Sequence, residues 1–363
     1  MSSQPLSAAP HAHQEASVRR IMLLVAAALL PVTLYELWLF GWPAINLLTV
    51  TLLSTLLAEA ACLALARRPI LPFLTDGSAL LTGWLLALSL PPVAPWWTGV
   101  VGGVVAMAIG KHVFGGVGQN LFNPAMVARV VLLISFPLEM TRNAGPMRLT
   151  DPDAPGFLDG LAITFGGGAN LDALSSASLL SHAKTELSRG VPLTESLSGL
   201  YDPWALAVGT VPGAMGETAA LLILLGGLFL IFMRVISWHI PLAMLGTLGA
   251  LAGVFHLIDP SRYADPLFHL LAGSAMLGAF FIATDLVTSP ITRRGQIIFG
   301  AGCGLLVYVI RTWANYPEGV AFAILLMNAL TPLIDHYVRP RVFGRTAKGA
   351  PLTYQPADRE AGQ

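Results

Sequence analysis

Residues 21–42 read IMLLVAAALLPVTLYELWLFGW, an apolar run whose only charged residue is Glu36. A helix needs about 20 apolar residues to cross the ~30 Å hydrocarbon core of a bilayer, so this run is long enough to span it. Arg19 and Arg20 precede the run, as in a signal peptide, but the run contains Pro31 and lacks a clear small-residue cleavage site. We therefore predict a first membrane helix that is retained.

The composition extends this interpretation to the whole chain. Hydrophobic residues make up 55% of the 363 residues and charged residues only 11%, against about 25% charged residues in ordinary soluble domains. The mean hydropathy is +0.69. A formal net charge of zero does not point to nucleic acid as a partner. Cys62 and Cys303 lie in apolar runs without a CxxC motif, so we expect neither a disulfide framework nor a thiolate metal site.

Apolar runs recur about ten times along the chain. The candidate spans are 21–42, 44–66, 77–91, 97–114, 122–137, 216–233, 236–257, 266–284, 295–311 and 318–337. If the N-terminus is cytoplasmic, most Lys and Arg residues near span ends, Lys111 among them, fall on the inner side. Only Arg262 and Arg311 then fall on short outer loops, which agrees with the positive-inside rule. We therefore predict ten spans with both termini in the cytoplasm.

This assignment divides the chain into five parts. They are a cytoplasmic tail (1–20), membrane helices one to five (21–137), a periplasmic loop (138–215), membrane helices six to ten (216–338) and a second cytoplasmic tail (339–363). Long loops without a role are uncommon. The periplasmic loop is therefore the first place to look for chemistry.

Short motifs recur between the two halves at nearly equal offsets. Residues 77–81 (GSALL) are echoed 196 positions later by 273–277 (GSAML), and 124–128 (PAMVA) are echoed 193 positions later by 317–321 (PEGVA). The alternative is chance similarity among small apolar residues. A repeat of five spans must be inverted, because five is odd. We predict an all-α integral membrane fold of about ten transmembrane helices in two inverted five-helix repeats, with one long periplasmic loop.

The long loop contains LDALSSASLL at 171–180. This stretch resembles the D-x-x-[S/T]-x-A-[S/T] signature at which membrane electron-transport proteins carry covalent FMN, with Asp172, Ser175, Ala177 and Ser178 at the fixed positions. The resemblance implies that the FMN phosphate is esterified to the hydroxyl of Ser178, where the family usually has Thr. This chemistry requires a small, exposed hydroxyl side chain. On the motif alone, a Ser-rich solvated loop is the alternative.

Further motifs, in order along the chain, look like the RnfD component of the Rnf (Rsx) electron-transport complex, of the NqrB/RnfD family. They are TDGSALLTG (75–83), LSLPP (88–92), GQNLFNPA (118–125), FIATD (281–285) with TSP (288–290), and IRTW (310–313) with YPEGVAF (316–322). The resemblance runs from about residue 20 to 345. The sister family, the NqrB component of the sodium-pumping NADH:quinone reductase, is usually longer at the N-terminus, which disfavours it here.

The resemblance implies a membrane electron-transfer component of an ion-translocating ferredoxin:NAD oxidoreductase complex in the bacterial inner membrane. It implies FMN at Ser178 exchanging electrons with the flavin of RnfG, contacts with the membrane proteins RnfA and RnfE, and riboflavin as a second flavin among the helices. In such proteins the cofactor performs the redox chemistry and the chain sets its position and electrostatics. A channel or small-solute transporter, and a scaffold with a degenerate flavin site, are the competing hypotheses. The flavin signature disfavours a simple channel.

Four residues near helix starts are the remaining candidates for cofactor binding. Gly77, Ser78 and Asn123 lie where helices begin, and helix N-termini present free N–H groups and partial positive charge. Asn123 is also suited to cap the helix that begins at Pro124. Arg129, one turn further on, is expected either to contact a ligand or to snorkel to the cytoplasmic surface.

Three acids raise the question of an ion path. Glu36 and Glu59 lie in the first and second spans, Glu59 the deeper of the two, and an ion or proton role competes with a structural one. Asp285 lies where the eighth span ends, and we expect a helix-end acid near Arg293 and Arg294.

Overall fold

A computed structural model describes residues 17–166, 175–340 and 344, and this part of the chain is mostly helical. The N-terminal half contains five helices, and a π-helix over Ala106–His112 directly continues the fourth. The five are α1 (Val18–Leu65), α2 (Ile70–Leu74), α3 (Ser78–Leu88), α4 (Trp96–Val105) and α5 (Pro124–Ser135).

We call residues 136–215, which follow α5, the outer segment. Its described residues, 136–166 and 175–215, form five short helices and two short strands. Its elements are α6 (Pro137–Thr141), β1 (Asn143–Ala144), α7 (Phe157–Phe165), β2 (Ser175–Ser176), α8 (Leu179–Ser188), α9 (Leu193–Ser196) and α10 (Pro203–Val208). The two strands pair in antiparallel register, Asn143 with Ser176 and Ala144 with Ser175.

The C-terminal half contains six helices, and a π-helix over Gly278–Ile282 continues the fourth of them. The six are α11 (Ala220–Phe232), α12 (His239–Ile258), α13 (Pro266–Leu271), α14 (Ala275–Leu277), α15 (Arg293–Trp313) and α16 (Val320–Tyr337). One continuous apolar core joins this half to the N-terminal half.

The long helix α1 is two helices joined at Gly41, where the backbone is non-helical (φ 68°, ψ −152°). A straight helix of 48 residues would be roughly 70 Å long. Instead, both of its ends lie near the start of α3: Met22 packs against Gly77, and Lys111 contacts both Ser78 and Glu59. The chain therefore reverses at Gly41, as predicted from the separate apolar runs.

At the reversal, the last backbone carbonyl groups of the first of these two helices have no hydrogen-bond partner within the helix itself. The N–H groups of Met147 and Leu149 in the outer segment donate to the carbonyl oxygens of Leu39 (2.9 Å) and Trp38 (2.8 Å). Capping of this kind is what the end of a buried helix requires. It also fixes the start of the outer segment to the N-terminal half.

Four of the described helices are long and apolar enough to cross a membrane: α1, α12, α15 and α16. Three further apolar helices, α3, α5 and α11, are shorter. At 11 residues, α3 is only about 16 Å long. The backbone beyond its end is satisfied inside the protein, because Gly216 N–H donates to Leu88 O and Met215 N–H to Leu90 O (3.3 Å). The prediction of a helical, multi-pass membrane protein is confirmed.

The outer segment packs on both halves. Its first part lies on the N-terminal half, where the Trp42 ring meets the edge of Phe157 and Gly160 fits against Trp42. Its second part lies on the C-terminal half, where Leu180 and Leu206 share a small apolar core with Phe268 and their neighbours.

The two Gly-Ser motifs adopt similar conformations. Gly77 and Gly273 both have positive φ angles, 86° and 69°, and each is followed by a Ser that begins or precedes a short helix. A basic residue near the end of the next helix contacts each motif. Lys111 donates to Ser78 Oγ (2.9 Å), and Arg311 donates to the carbonyl of Ala272 (2.9 Å), next to Gly273.

Candidate functional site

Ser178 is the N-cap residue of α8. Its Oγ accepts the N–H of Ser181 (3.3 Å) and donates to Ser181 Oγ (3.0 Å). The expected exposed hydroxyl is not found, because Ser178 is only 9% exposed. The reason is that α8 packs its first turn, through Leu179 and Leu180, into the apolar core of the outer segment.

Of the other three residues of the flavin signature, the structure describes Ala177 and Ser175. Ala177 is exposed between β2 and α8. Ser175 pairs through its backbone with Ala144. Asp172 lies outside the described residues.

The Ser178 side chain lines a cavity of about 30 Å³ between the outer segment and the membrane helices, which we call the Ser178 cavity. Residues from both halves of the chain form its wall. They are Arg129, Leu133, Met140, Thr141, Asn143, Ser178, Ser181, Glu217, Pro317 and Glu318. Ser178 and Arg129, which the sequence suggested separately, are thus brought together.

Arg129 is buried and paired. Its Nη2 lies 2.8 Å from Oε1 of Glu217, and both side chains are 8% exposed. The alternative of snorkelling to the cytoplasmic surface is therefore wrong. The Nη1 of Arg129 is also buried and has no hydrogen-bond partner among the described residues. A buried donor of this kind is costly unless a ligand or water satisfies it.

A second ion pair lies beside the first. Nη2 of Arg311 is 3.0 Å from Oε2 of Glu318, and the Glu318 carboxylate also accepts the N–H groups of Ser274 (3.0 Å) and Gly319 (3.1 Å). Arg311 was predicted on an outer loop, but it is buried within α15. The sequence pattern could not show this, because the partners of Arg311 lie on other segments of the chain.

Lys184 ties α8 to the C-terminal half. Its Nζ donates to the carbonyl oxygens of Tyr316 (2.9 Å), Arg311 (3.1 Å) and Ile310 (3.4 Å). Burial lowers the pKa of the Lys184 ammonium from its ordinary value. These bonds place a positive charge at the C-terminal end of α15, where the helix dipole favours it.

The other predicted binding residues lie around a second, larger cavity of about 110 Å³, the Asn123 cavity. Asn123 caps α5 by accepting the N–H groups of Ala125 (3.1 Å) and Met126 (3.3 Å). Ser78 also lines this cavity, and the left-handed turn at Gly77 positions it. The polar wall further includes Lys111, Asn120, Thr284 and Asp285; the apolar wall includes Leu85, Phe280 and Phe281. Four of the predicted binding residues therefore line two cavities: Ser178 and Arg129 line the first, and Asn123 and Ser78 line the second.

The intramembrane acids differ in how they are paired. Glu59 is buried against Lys111 Nζ (2.7 Å) and His112 Nε2 (2.8 Å), so Lys111 belongs to an interior pair rather than to a loop. Glu36 is fully buried, its Oε1 accepts only a long bond from Thr218 (3.4 Å), and its Oε2 has no partner among the described residues. Asp285 accepts the Val287 N–H and the Thr288 hydroxyl.

Comparison with known proteins identifies the family of this chain. A family model described as NQR2, RnfD, RnfE matches residues 5–344. The chain belongs to the NQR2, RnfD, RnfE family. The family predicted from the sequence motifs is thereby confirmed.

Individual members of the NQR2, RnfD, RnfE family are closely similar to this chain. The D component of an ion-translocating oxidoreductase complex from Halorhodospira halophila is 54% identical over 355 residues, which cover 98% of this chain and 99% of the relative. The protein of that name from Stutzerimonas stutzeri is 58% identical over 336 residues, covering 93% and 95%. The one from Rhodobacter capsulatus is 52% identical over 303 residues, covering 84% of each chain.

Sequence reasoning missed three residues of the site: Glu217, Glu318 and Lys184. Glu217 carries a usable signal, because an acid at the start of an apolar span is normally paired or functional. Glu318, the first residue of the candidate span 318–337, carries the same signal. Lys184 carries none, because its role depends on contacts with a segment that is distant in sequence.

Proposed function

We propose that this chain is the RnfD component of an ion-translocating oxidoreductase complex of the Rnf type, and that it relays electrons through FMN esterified to Ser178. The observation that carries the proposal is the Ser178 cavity. The N-cap residue of α8 and Arg129, whose buried Nη1 has no partner among the described residues, line this one small cavity. The names of the close relatives favour this function over a channel or transporter.

The surroundings of Ser178 suit a phosphate group. A phosphoester on an N-cap oxygen lies at the positive end of a helix, next to free backbone N–H groups. Arg129 Nη1 supplies a further donor, and Arg–phosphate contacts are among the stronger charge-assisted hydrogen bonds. A cavity of about 30 Å³ has room for a group of a few atoms and not for a tricyclic ring. The flavin ring therefore extends beyond this cavity.

The role of the chain in this proposal is positioning. A bound flavin would supply the ability to take up and pass on electrons. Ser178 fixes the carrier covalently, and Arg129 balances the charge of the phosphate. The Arg129–Glu217 and Arg311–Glu318 pairs hold the surrounding helices in a fixed arrangement.

The Asn123 cavity is proposed to hold the second flavin, riboflavin. Its apolar wall suits the faces of an aromatic ring system, and its amide, hydroxyl and ammonium groups suit a polar edge or a sugar-alcohol chain. Asn123, Ser78 and Lys111 are the residues that would make these contacts.

The proposed topology has ten crossings in two inverted repeats, with both termini in the cytoplasm of a bacterial inner membrane and the outer segment in the periplasm. The similar Gly77 and Gly273 turns support the repeat. Ser78, which begins α3, and Thr284, just beyond the π-helix that continues α14, both line the Asn123 cavity. The helix α3 therefore begins at that cavity, whereas the helix formed by α14 and its π-helix ends there. The two helices run in opposite directions relative to the cavity, which supports the inversion. The sequence shows no NAD fingerprint and no iron–sulfur ligand pattern, so RnfG, RnfA and RnfE are proposed as partners in electron transfer.

Intact mass spectrometry of the chain, expressed in a host that has the flavin transferase, tests the covalent proposal. We expect a mass increase of one FMN in the wild type and in Ser178→Thr, which keeps the hydroxyl and the cap. We expect no increase in Ser178→Ala, while Ser181→Ala, next to the same cavity, keeps the adduct. An unmodified wild-type chain from such a host would refute the assignment of FMN to Ser178.

A further inference from the structure

The position of Ser178 in the structure does not allow FMN to be attached to it. Ser178 is only 9% exposed, and its Oγ donates to Ser181 Oγ and accepts the N–H of Ser181. The adjoining Ser178 cavity, of about 30 Å³, has room for a few atoms and not for a flavin. The active site of a transferase therefore cannot reach this hydroxyl while α8 is packed as described.

The chemistry of the attachment requires free space around the hydroxyl oxygen. Ser178 Oγ forms a bond to the FMN phosphorus of a flavin dinucleotide, the bond from that phosphorus to the bridging oxygen breaks, AMP leaves, and the hydroxyl proton passes to a base on the transferase. In such a displacement, the attacking and leaving oxygens lie roughly in line with the phosphorus. The donor and the enzyme must therefore both lie directly against Ser178.

Few contacts hold α8 in its packed position. Its three buried residues are Leu179, Leu180 and Ala183, and all three belong to the small apolar core of the outer segment. Lys184 adds hydrogen bonds to three carbonyl oxygens at and just beyond the C-terminal end of α15. A segment that buries so few apolar groups opens at a lower free energy than the main core of a protein.

Once released from these contacts, α8 has little reason to remain a helix. It contains only 10 residues. Isolated helices shorter than about 12–15 residues are marginal in water, because most helical stability in proteins comes from packing. Opening therefore also unwinds the first turn, which breaks the bonds between Ser178 and Ser181 and frees the hydroxyl.

We propose that FMN is attached to Ser178 in an open state, in which α8 has left the apolar core, and that Lys184 is the latch that sets how often this state forms. The proposal rests on the function proposed above. In the closed state, the Lys184 ammonium holds α8 against the end of α15. When opening and closing are fast, the rate of attachment follows the population of the open state, as it does for proteolysis of a transiently opened chain.

The test follows FMN attachment to the purified full chain, produced in a host without the transferase and then supplied with transferase and FAD. Lys184→Met removes the three hydrogen bonds and keeps an unbranched side chain. Leu180→Ala loosens α8 independently, by shortening a side chain in the apolar core. Arg189→Met is the matched control, because Arg189 caps the end of α8, is exposed and pairs with Glu186 of the same helix.

Two quantities are measured on each variant. Intact mass gives the rate at which the adduct forms, and hydrogen exchange gives the protection of the α8 amides. Lys184→Met should gain FMN about tenfold faster than the wild type, because a loss of about 1.4 kcal/mol, within the range for hydrogen bonds from a charged group, is a tenfold change in an equilibrium. The protection of α8 should fall by the same factor, while that of the membrane helices stays unchanged.

Leu180→Ala should show the same proportion between faster attachment and lost protection. Arg189→Met should match the wild type, since exposed ion pairs contribute little. A variant that loses α8 protection but gains FMN at the wild-type rate would show that attachment does not need the open state and would overturn the proposal. Unchanged α8 protection in Lys184→Met would overturn the role of the latch. Wild-type chain that lacks the adduct after expression with the transferase would instead refute the function on which the proposal rests.

Discussion

Nη2 of Arg129 lies 2.8 Å from Oε1 of Glu217, and this ion pair joins α5 in the N-terminal half to the start of α11 in the C-terminal half. Both side chains are buried. The pair therefore fixes the relative position of the two halves at the wall of the Ser178 cavity.

Loss of one partner of this pair should destabilise the protein strongly. Arg129→Met leaves the Glu217 carboxylate buried without its partner, which typically costs about 3–5 kcal/mol. Thermal unfolding in detergent measures the effect. Arg189→Ala breaks an exposed pair with Glu186 and serves as the control, with an expected change below about 1 kcal/mol. Equal effects of the two substitutions would contradict the structural role assigned to Arg129.

The two intramembrane acids should respond differently to the same substitution. Glu59→Gln leaves the Lys111 ammonium buried without a counter-ion, so we expect a loss of several kcal/mol. Glu36→Gln should change stability by less than about 1 kcal/mol, because Gln has the same shape and the Glu36 carboxyl makes only one long hydrogen bond among the described residues. The melting temperatures of the two variants, compared in one detergent, provide the measurement. A more severe effect at Glu36 would show that its carboxylate is charged and has a partner.

Tyr201 should make the stability of the outer segment fall at alkaline pH. Its hydroxyl donates to the Asp265 carboxylate (2.9 Å), and burial together with Asp265 raises the pKa of the Tyr201 phenol above its ordinary value of 10. The folded and unfolded states both keep this proton below pH 10. Above pH 10 the unfolded state loses the proton first, so the contribution of Tyr201 to stability falls as the pH rises.

The variant Tyr201→Phe isolates this effect. The substitution should lower the stability by about 1 kcal/mol at neutral pH, because the hydrogen bond to Asp265 is lost. It should also remove the part of the stability loss at alkaline pH that Tyr201 causes. Proteolysis of the outer segment between pH 8 and about 11 follows its local stability. Parallel curves for the wild type and Tyr201→Phe across this range would disprove the coupling.

The exposed face of α7 should lie at the membrane surface. Leu158 is 76% exposed, and its neighbour Phe157 packs against Trp42 beside the reversal of α1. A spin label on Leu158→Cys should be more accessible to dissolved oxygen than to a polar nickel complex, because the bilayer concentrates oxygen. The same label at the exposed Ser198, in the same segment, should show the opposite preference. A label at position 158 that is shielded from both reagents would instead indicate a protein partner on this face.

The sequence predicted the helical membrane fold because apolar runs are local signals. It also predicted a reversal between the spans 21–42 and 44–66, and the structure places this reversal at Gly41. It could not predict that Lys111 and Arg311 are buried, because folding brings Glu59 of α1 to Lys111 and the turn after α15 brings Glu318 back to Arg311. Charge alone made both look like loop residues.

The candidate site was predicted in part. Ser178 was identified through its motif and Arg129 through the cost of a charge inside a membrane span. Their shared cavity was not predictable, since it depends on how α8 packs, which Lys184 and a small apolar core determine. The burial of Ser178 has the same origin.

The outer segment has a mechanical consequence. Trp42 anchors α7 to the N-terminal half, and Lys184 anchors α8 to the C-terminal half. The chain that runs between these two anchors includes Asp172 of the flavin signature. Any movement that separates the two halves therefore changes the distance that the chain between α7 and α8, which carries the flavin signature, has to span.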